Sequence, residues 1–414
     1  MKSLFIGSQL AIIIVKFAAY HDLSNLLILL LVLVDFFLIY LLFKQYLSFR
    51  YKSIENIPEN PLSVSVIIAF YNEDPKILKR CIQSVLDQTI TVSQVFVYDD
   101  GSDSEVAYQT VTEYFQSERL HFNRNSKNKG KRYAQVQMLK QLEADIFVIL
   151  DSDTILEKNA IEEGLKPFMD QTVFGVSGNI SALNQNSGLV SNLYGNLLSK
   201  SFSYERAAQS VIDSVLVASG MFSLFRKDVI EGRYEHYLNL REDGLNLSAD
   251  DKRLTTYAIE QGRVLLQSTA MAKTVIPEHS SKFLKQQVRW ARGFFSETLY
   301  SLKIISKQRW AWWFSLFDII MWLCLPLTIV FLVIVNPQTI ILHLIFYELL
   351  YILLVLVGRS RNNMTISDSV LLPAMKLAHI FALFPIRLFA IFTLSSNTWL
   401  TRGSYLVKSE STPG

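Results

Sequence analysis

The apolar positions of this chain fall into two kinds of run. Residues 23–43, LSNLLILLLVLVDFFLIYLLF, carry one charge, Asp35. As a helix rising 1.5 Å per residue this run spans about 31 Å, enough to cross a hydrocarbon core of about 30 Å. Residues 4–19 are apolar but shorter and hold Lys16, so they read as a tilted span, a signal peptide or an interfacial helix. A small-residue cleavage site is missing ahead of the second apolar run, which disfavours the signal peptide. Residues 1–47 are therefore predicted as a transmembrane hairpin. Residues 310–335 and 338–357 return to membrane composition around the turn Asn336-Pro337 and form a second hairpin. A last apolar stretch, 369–394, is interrupted by Lys376, Pro385 and Arg387 and reads as one long span, two short ones or an interface helix.

Between the hairpins, over about residues 48–305, the pattern changes. Short apolar runs, VSVIIAFY (64–71), QVFVYDD (94–100) and DIFVILDSD (145–153), each end in acidic or polar residues and precede a helical pattern. This predicts an α/β domain with parallel strands that carry their sites at the carboxyl ends, the outline of a nucleotide-binding architecture. The chain thus divides into an N-terminal hairpin (1–47), an α/β domain with interfacial helices (48–305), C-terminal transmembrane and interfacial helices (306–398) and a tail (399–414).

Composition sharpens this division. Half of the 414 residues are hydrophobic and the mean hydropathy is +0.25, high for a soluble protein. Forty basic and 37 acidic residues give a formal charge of only +3, so no basic field points to nucleic acid. Lys44, Arg50 and Lys52 after the first hairpin and the RSRNN segment (359–363) after the second put positive charge on the side bearing the α/β domain. That side is predicted to be cytoplasmic. The two cysteines, Cys81 and Cys324, lie far apart and make neither a disulfide framework nor a zinc spacing.

The candidate chemistry sits at the strand ends. Asp151 and Asp153, two residues apart in DSD, form a pair able to share a divalent ion whose remaining positions take diphosphate oxygens. Tyr71 in FYNED (70–74) offers a ring for a planar base, and Asp99 and Asp100 in YDDGSD (98–103) offer acceptors for a uracil N–H or ribose hydroxyls. The plainer readings are a helix cap for Asn72 and a turn for Asp-Gly. Lys131 and Arg132 in NKGKR add positive charge near a diphosphate, or form a solvated run. Asp250 and Asp251 in SADDKRLT precede a helix, where one could serve as a general base and both suit the positive end of a helix dipole.

Taken together, YNED (71–74), GKRYAQ (130–135), DSDT (151–154), ERAAQSV (205–211), SGMFSLFRKDV (219–229), LKQQVRW (284–290) and WLTR (399–402) form an ordered series framed by membrane hairpins. It resembles the processive family-two glycosyltransferases with a GT-A fold, the cellulose, chitin and hyaluronan synthases, and within them the bacterial class I hyaluronan synthases. The resemblance implies that Tyr71, Asp99 and Asp100 hold the uridine, with Glu73 on the same donor side. Lys131, Asp151 and Arg289 would meet the nucleotide diphosphate, and Asp153 with Asp151 would bind Mg²⁺ or Mn²⁺. Asp251, beside Asp250, would be the general base, and Gln286 and Trp290 would hold the acceptor sugar. Trp399 and Arg402 would form the cytoplasmic tail motif, which implies a re-entrant, interfacial or double-pass arrangement for 369–394.

The sequence departs from the family at Leu400, Ala249, Lys252, Ala218, Met221 and the stretch Thr274 to Glu278, several of them on the expected acceptor path. The implied activity is inverting transfer from UDP-sugars to a growing β-linked polysaccharide that is exported through the membrane. Hyaluronan from UDP-glucuronate and UDP-N-acetylglucosamine is the leading product, another capsular or chitin-like β-glycan the second, and a non-catalytic membrane scaffold the third reading. Asp35, Asp318 and Glu348 are acids within apolar spans and read either as channel liners or as helix-pairing groups.

Overall fold

The structure is a computed structural model and describes residues 24–56, 62–238, 249–358 and 381–394. The first apolar run (4–19), RSRNN, residues 369–380, and Trp399 and Arg402 lie outside the described residues.

Eight strands form one sheet in the order β3-β2-β1-β4-β7-β6-β8-β5. They are β1 (Val64–Phe70), β2 (Gln94–Asp99), β3 (Leu120–Arg124), β4 (Ile146–Asp151), β5 (Thr154–Leu156), β6 (Val173–Ala182), β7 (Phe222–Arg226) and β8 (Arg263–Thr274). All seven residues of β1 are buried, as a central strand covered on both faces requires. The first four strands are mutually parallel, with β2 and β3 on one side of β1 and β4 on the other. The chain therefore reverses its winding direction between β1 and β4, and a crevice opens at the carboxyl ends there. Register decides what faces that crevice: Phe70 pairs with Asp99 and Ala69 with Asp151. The YNED, DDGS and DSD turns consequently leave the sheet side by side.

Local chemistry shapes these turns. Asp74 caps the helix Pro75–Leu86 by accepting from the amides of Lys76 and Ile77, so the cap is Asp74 rather than Asn72. Asn72 instead has φ of 51° and exchanges hydrogen bonds with Asp103. Gly101 has φ of 72°, and a Cβ there would collide with the backbone of Lys127 and Asn128, so the Asp-Gly turn needs glycine.

Two helices among the described residues, Asn25–Ser48 and Trp310–Val335, are long and apolar enough to cross a membrane. They pack through Phe36 on Phe317 and Tyr40 on Phe314, each pair edge-on at 5.5 Å. Pro337–Gly358 follows directly, with proline at its first position. The first helix is tied to the sheet just after its end: Tyr51 Oη donates to the Leu266 carbonyl and accepts from the Ser268 amide, and Gln267 bonds Ile54 in both directions. A 25-residue helix, Ser280–Ile304, runs from the sheet towards the apolar helices. Phe381–Phe392 is a shorter apolar helix of about 18 Å.

Asp35 bonds His343 across the helices Asn25–Ser48 and Pro337–Gly358, which is the helix-pairing alternative. Asp318 differs, because it faces the large cavity described next.

Candidate active site

A cavity of about 1090 Å³ begins at the carboxyl end of β4 and extends to the apolar helices. Lys131, Asp151 and Asp153 line its sheet end, Asp250 and Asp251 its middle, and Gln286, Arg289 and Trp290 the facing wall. The long helix Ser280–Ile304 supplies that wall because residues 286, 289 and 290 lie within one turn and on one side.

At the sheet end, Lys131 Nζ lies 2.6 Å from Asp151 Oδ1 and 3.3 Å from Asp250 Oδ2. Burial opposes the lysine's charge, but these two acids together with Asp251 outweigh it and raise its pKa above the ordinary value. Asp153 Oδ1 accepts from the Thr274 hydroxyl at 3.2 Å. Among the described residues there is no cluster of three or more metal-ligating side chains. A pair of carboxylates bordering an open cavity nevertheless fits Mg²⁺ or Mn²⁺, which commonly take one or two protein carboxylates and leave other positions to phosphate and water.

The adjacent acids Asp250 and Asp251 open the helix Asp250–Gln261 and have opposite environments. Asp250 is buried, which alone would favour its neutral form, yet Lys131, Arg132 and a hydrogen bond from Gln135 Nε2 at 2.9 Å bring its pKa down to about 2. Asp251 accepts from the Gly220 amide at 3.3 Å and the Lys252 amide at 2.8 Å. Burial first, and then the charge of Asp250, raise its pKa. The two adjacent carboxyl groups are thus pushed in opposite directions, Asp250 towards the anion and Asp251 away from it. Lys252 is also buried, which lowers its pKa to about 8. It bonds the Thr298 hydroxyl on the long helix.

Four predicted donor residues do not line this cavity. Asp99 is fully buried and accepts from the Ser102 amide and hydroxyl and from Arg124 Nε at 2.9 Å. Both of its oxygens therefore hold the DDGS turn. Asp100 accepts from the amides of Lys129 and Gly130 and from Asn125 Nδ2, shaping the approach to Lys131. Burial raises its pKa despite these bonds. Glu73 Oε2 accepts from the Ser152 hydroxyl at 2.6 Å and so links the YNED turn to DSD. Tyr71 is buried, with its hydroxyl 3.5 Å from Asp103.

Residues outside the predicted site complete the far end. Lys44 forms ion pairs with Glu205 at 2.8 Å and Asp318 at 3.1 Å, and Tyr40 donates to Asp318 at 2.9 Å. Trp322 and Arg387 line the same end. Lys44 counts in the sequence only towards topology, and nothing local pairs it with acids 161 and 274 residues away.

Comparison with known proteins bears on this arrangement. The family description "Glycosyl transferase family 2" matches residues 65–233. The chain is 36% identical over 372 residues to a hyaluronan synthase of Streptococcus pyogenes, covering 88% of each chain. It is 29% identical over 359 residues to an N-acetylglucosaminyltransferase of Neorhizobium galegae, covering 83% of this chain and 80% of the relative. In fold it is similar to a mannosyltransferase from Pyrobaculum calidifontis solved with GDP-Man and Mn²⁺, with a TM-score of 0.59, 16% identity and coverage of 89% and 97%. The parallel strand ends, the split acid pair and this similarity agree: the chain is a hexosyltransferase with a GT-A-like α/β fold and belongs to the hyaluronan synthase family of family 2 glycosyltransferases.

Proposed function

We propose that the protein polymerises UDP-glucuronate and UDP-N-acetylglucosamine into hyaluronan at the cytoplasmic face of the cell membrane and exports the product as it grows. The observation that carries this reading is the continuity of one cavity from Asp151 and Asp153, past Asp251 and Trp290, to Lys44 and Asp318 between apolar helices. Donor chemistry and an exit at the membrane then share a path.

In this mechanism the donor lies with its diphosphate near Lys131 and Arg289 and its uridine towards Tyr71, while Asp99, Asp100 and Glu73 hold the turns that frame it. Asp153, with Asp151 beside it, supplies oxygen ligands for Mg²⁺ or Mn²⁺, whose chemistry when bound is to neutralise charge on the departing diphosphate. The acceptor sugar stacks on Trp290 within reach of Gln286. Asp251 takes the acceptor hydroxyl proton, the oxygen bonds to the anomeric carbon and the bond from that carbon to the diphosphate breaks. A single in-line displacement inverts an α-linked donor into a β linkage.

The membrane arrangement belongs to the same proposal: a hairpin over 1–47, a cytoplasmic transferase over 48–305, membrane and interfacial helices over 306–398, and a cytoplasmic tail bearing Trp399 and Arg402. A cysteine introduced at Ser404 in a chain without reactive external thiols is expected to be labelled from the cytoplasmic side. Labelling from outside alone would overturn this topology.

A second reading is a β-glycan made from one donor, favoured by the similarity to the N-acetylglucosaminyltransferase. Membranes supplied with Mg²⁺ and each UDP-sugar singly and in pairs separate the two. Polymer is expected only when both donors are present, and a hyaluronan-specific lyase is expected to degrade it. A long polymer from one donor favours the second reading, and no UDP release from any combination favours a non-catalytic scaffold.

A further inference from the structure

We infer that Arg387, stacked on Trp322, forms a carboxylate-binding subsite for a uronic acid unit of the nascent chain, placed on the product path beyond the acceptor site. The inference rests on the hyaluronan reading for its ligand, and on the cavity for its place.

Arg387 lies on the helix Phe381–Phe392 and is 8% exposed. Its guanidinium carbon sits 3.1 Å from the centre of the Trp322 ring. Its Nη1 is buried without a hydrogen-bond partner, and Arg387 pairs with no carboxylate among the described residues. Both side chains line the cavity that begins at the transferase acids. An arginine keeps its charge under all ordinary conditions and presents a planar fork of donors. Stacking on an indole recovers part of the lost hydration, but a buried donor left unmade remains costly.

Three other cations of the cavity have partners within the protein. Lys131 has Asp151 and Asp250, and Lys44 has Glu205 and Asp318. Arg206 donates to the Val217 carbonyl and the Ser201 hydroxyl and lies over the Phe202 ring. Arg387 instead borders the cavity with one buried donor, Nη1, left without a hydrogen-bond partner. A carboxylate suits that donor because it accepts charge-assisted hydrogen bonds from a guanidinium. Leu383, Ile386 and Met321 line the cavity beside it and offer an apolar wall for the ring that bears the carboxylate.

In an alternating polymer only every second sugar carries a carboxylate. The subsite would then engage once per disaccharide, giving the chain a resting register of two sugars.

The test measures binding of a hyaluronan tetrasaccharide and of its methyl ester to the full chain in phosphatidylcholine nanodiscs. The wild type is expected to prefer the free acid by roughly ten- to hundred-fold. Arg387→Gln is expected to bring the ratio close to one and Arg387→Lys to an intermediate value. UDP affinity, read at the opposite end of the cavity, reports folding on the same samples. Equal binding of acid and ester by the wild type overturns the subsite without reference to any variant. So does an unchanged ratio in Arg387→Gln, or phosphatidylglycerol raising the melting temperature through Arg387 while acid and ester bind alike, which would assign the guanidinium to a lipid phosphate. The two-donor assay is separate. Polymer from two donors with no acid preference removes only the subsite, whereas polymer from one donor removes the hyaluronan reading and leaves the binding ratio to judge Arg387.

Discussion

Replacing Asp251 by asparagine is expected to lower turnover by about 10²–10⁴-fold while UDP-sugar binding persists. The substitution keeps the shape of the side chain and an oxygen for the Gly220 amide, and it removes the capacity to take a proton. The pH profile supplies a second readout. Burial and the neighbouring charge of Asp250 raise the Asp251 pKa above the usual carboxylate value of 3.8, and only the deprotonated form acts as a base. Activity should therefore fall as pH drops through that raised pKa, and kcat/KM should show an acid limb above the range of an ordinary aspartate. Lys131 and Arg132 hold the Asp250 pKa below the ordinary carboxylate value, so the limb is expected from Asp251. In Asp251→Asn the limb should disappear along with the rate. Full turnover with intact UDP binding, or an unchanged acid limb, would assign the base elsewhere.

Glu297→Ala is expected to destabilise the fold by about 3–5 kcal/mol, the usual cost of breaking a buried ion pair by deleting one partner. Glu297 is fully buried on the long helix. It accepts from Arg253 Nε at 2.7 Å and lies 3.5 Å from Arg132 Nη2. Arg253 belongs to the helix that begins with the acid pair, and Arg132 to the helix Lys131–Leu139 that begins with Lys131. One carboxylate thus fastens the helices Lys131–Leu139, Asp250–Gln261 and Ser280–Ile304 to one another. Its loss leaves two buried guanidinium groups without their anion. Glu297→Gln keeps the volume and one acceptor, so its cost should be smaller. Thermal unfolding in detergent measures both, and activity should decline with the folded fraction. A melting temperature unaffected by Glu297→Ala would show that the three helices are held by packing alone.

Much of the α/β domain was legible because strand chemistry is local. VSVIIAF, QVFVYD and IFVILD are apolar runs of strand length, and the polar residues after each mark the carboxyl end. DSD and the paired acids were legible as residue types and the QQVRW segment through the family resemblance, and the cavity brings Asp151, Asp153, Asp251, Gln286, Arg289 and Trp290 together. The donor acids were less legible. Whether Asp99 meets a ligand or a protein donor depends on Arg124, which returns beside it one strand later. The same holds for the apolar helices. Asp35 and Asp318 look alike in sequence, but one meets His343 and the other meets Lys44 at the cavity. Arg387 interrupts an apolar stretch, and its stacking partner Trp322 lies 65 residues earlier.

The sequence by itself therefore determined the α/β class of the central domain, the order of the candidate motifs and the runs long enough to meet a membrane. Those properties follow from periodicity, run length and residue type, which neighbouring positions specify. Tertiary structure decided which of two adjacent aspartates is pushed towards the anion and which away from it, and which of the cavity's cations have partners within the protein. Those properties depend on burial and on charges a few ångströms away. Electrostatic interaction falls off with distance in space, and the groups that set it here come from segments far apart along the chain.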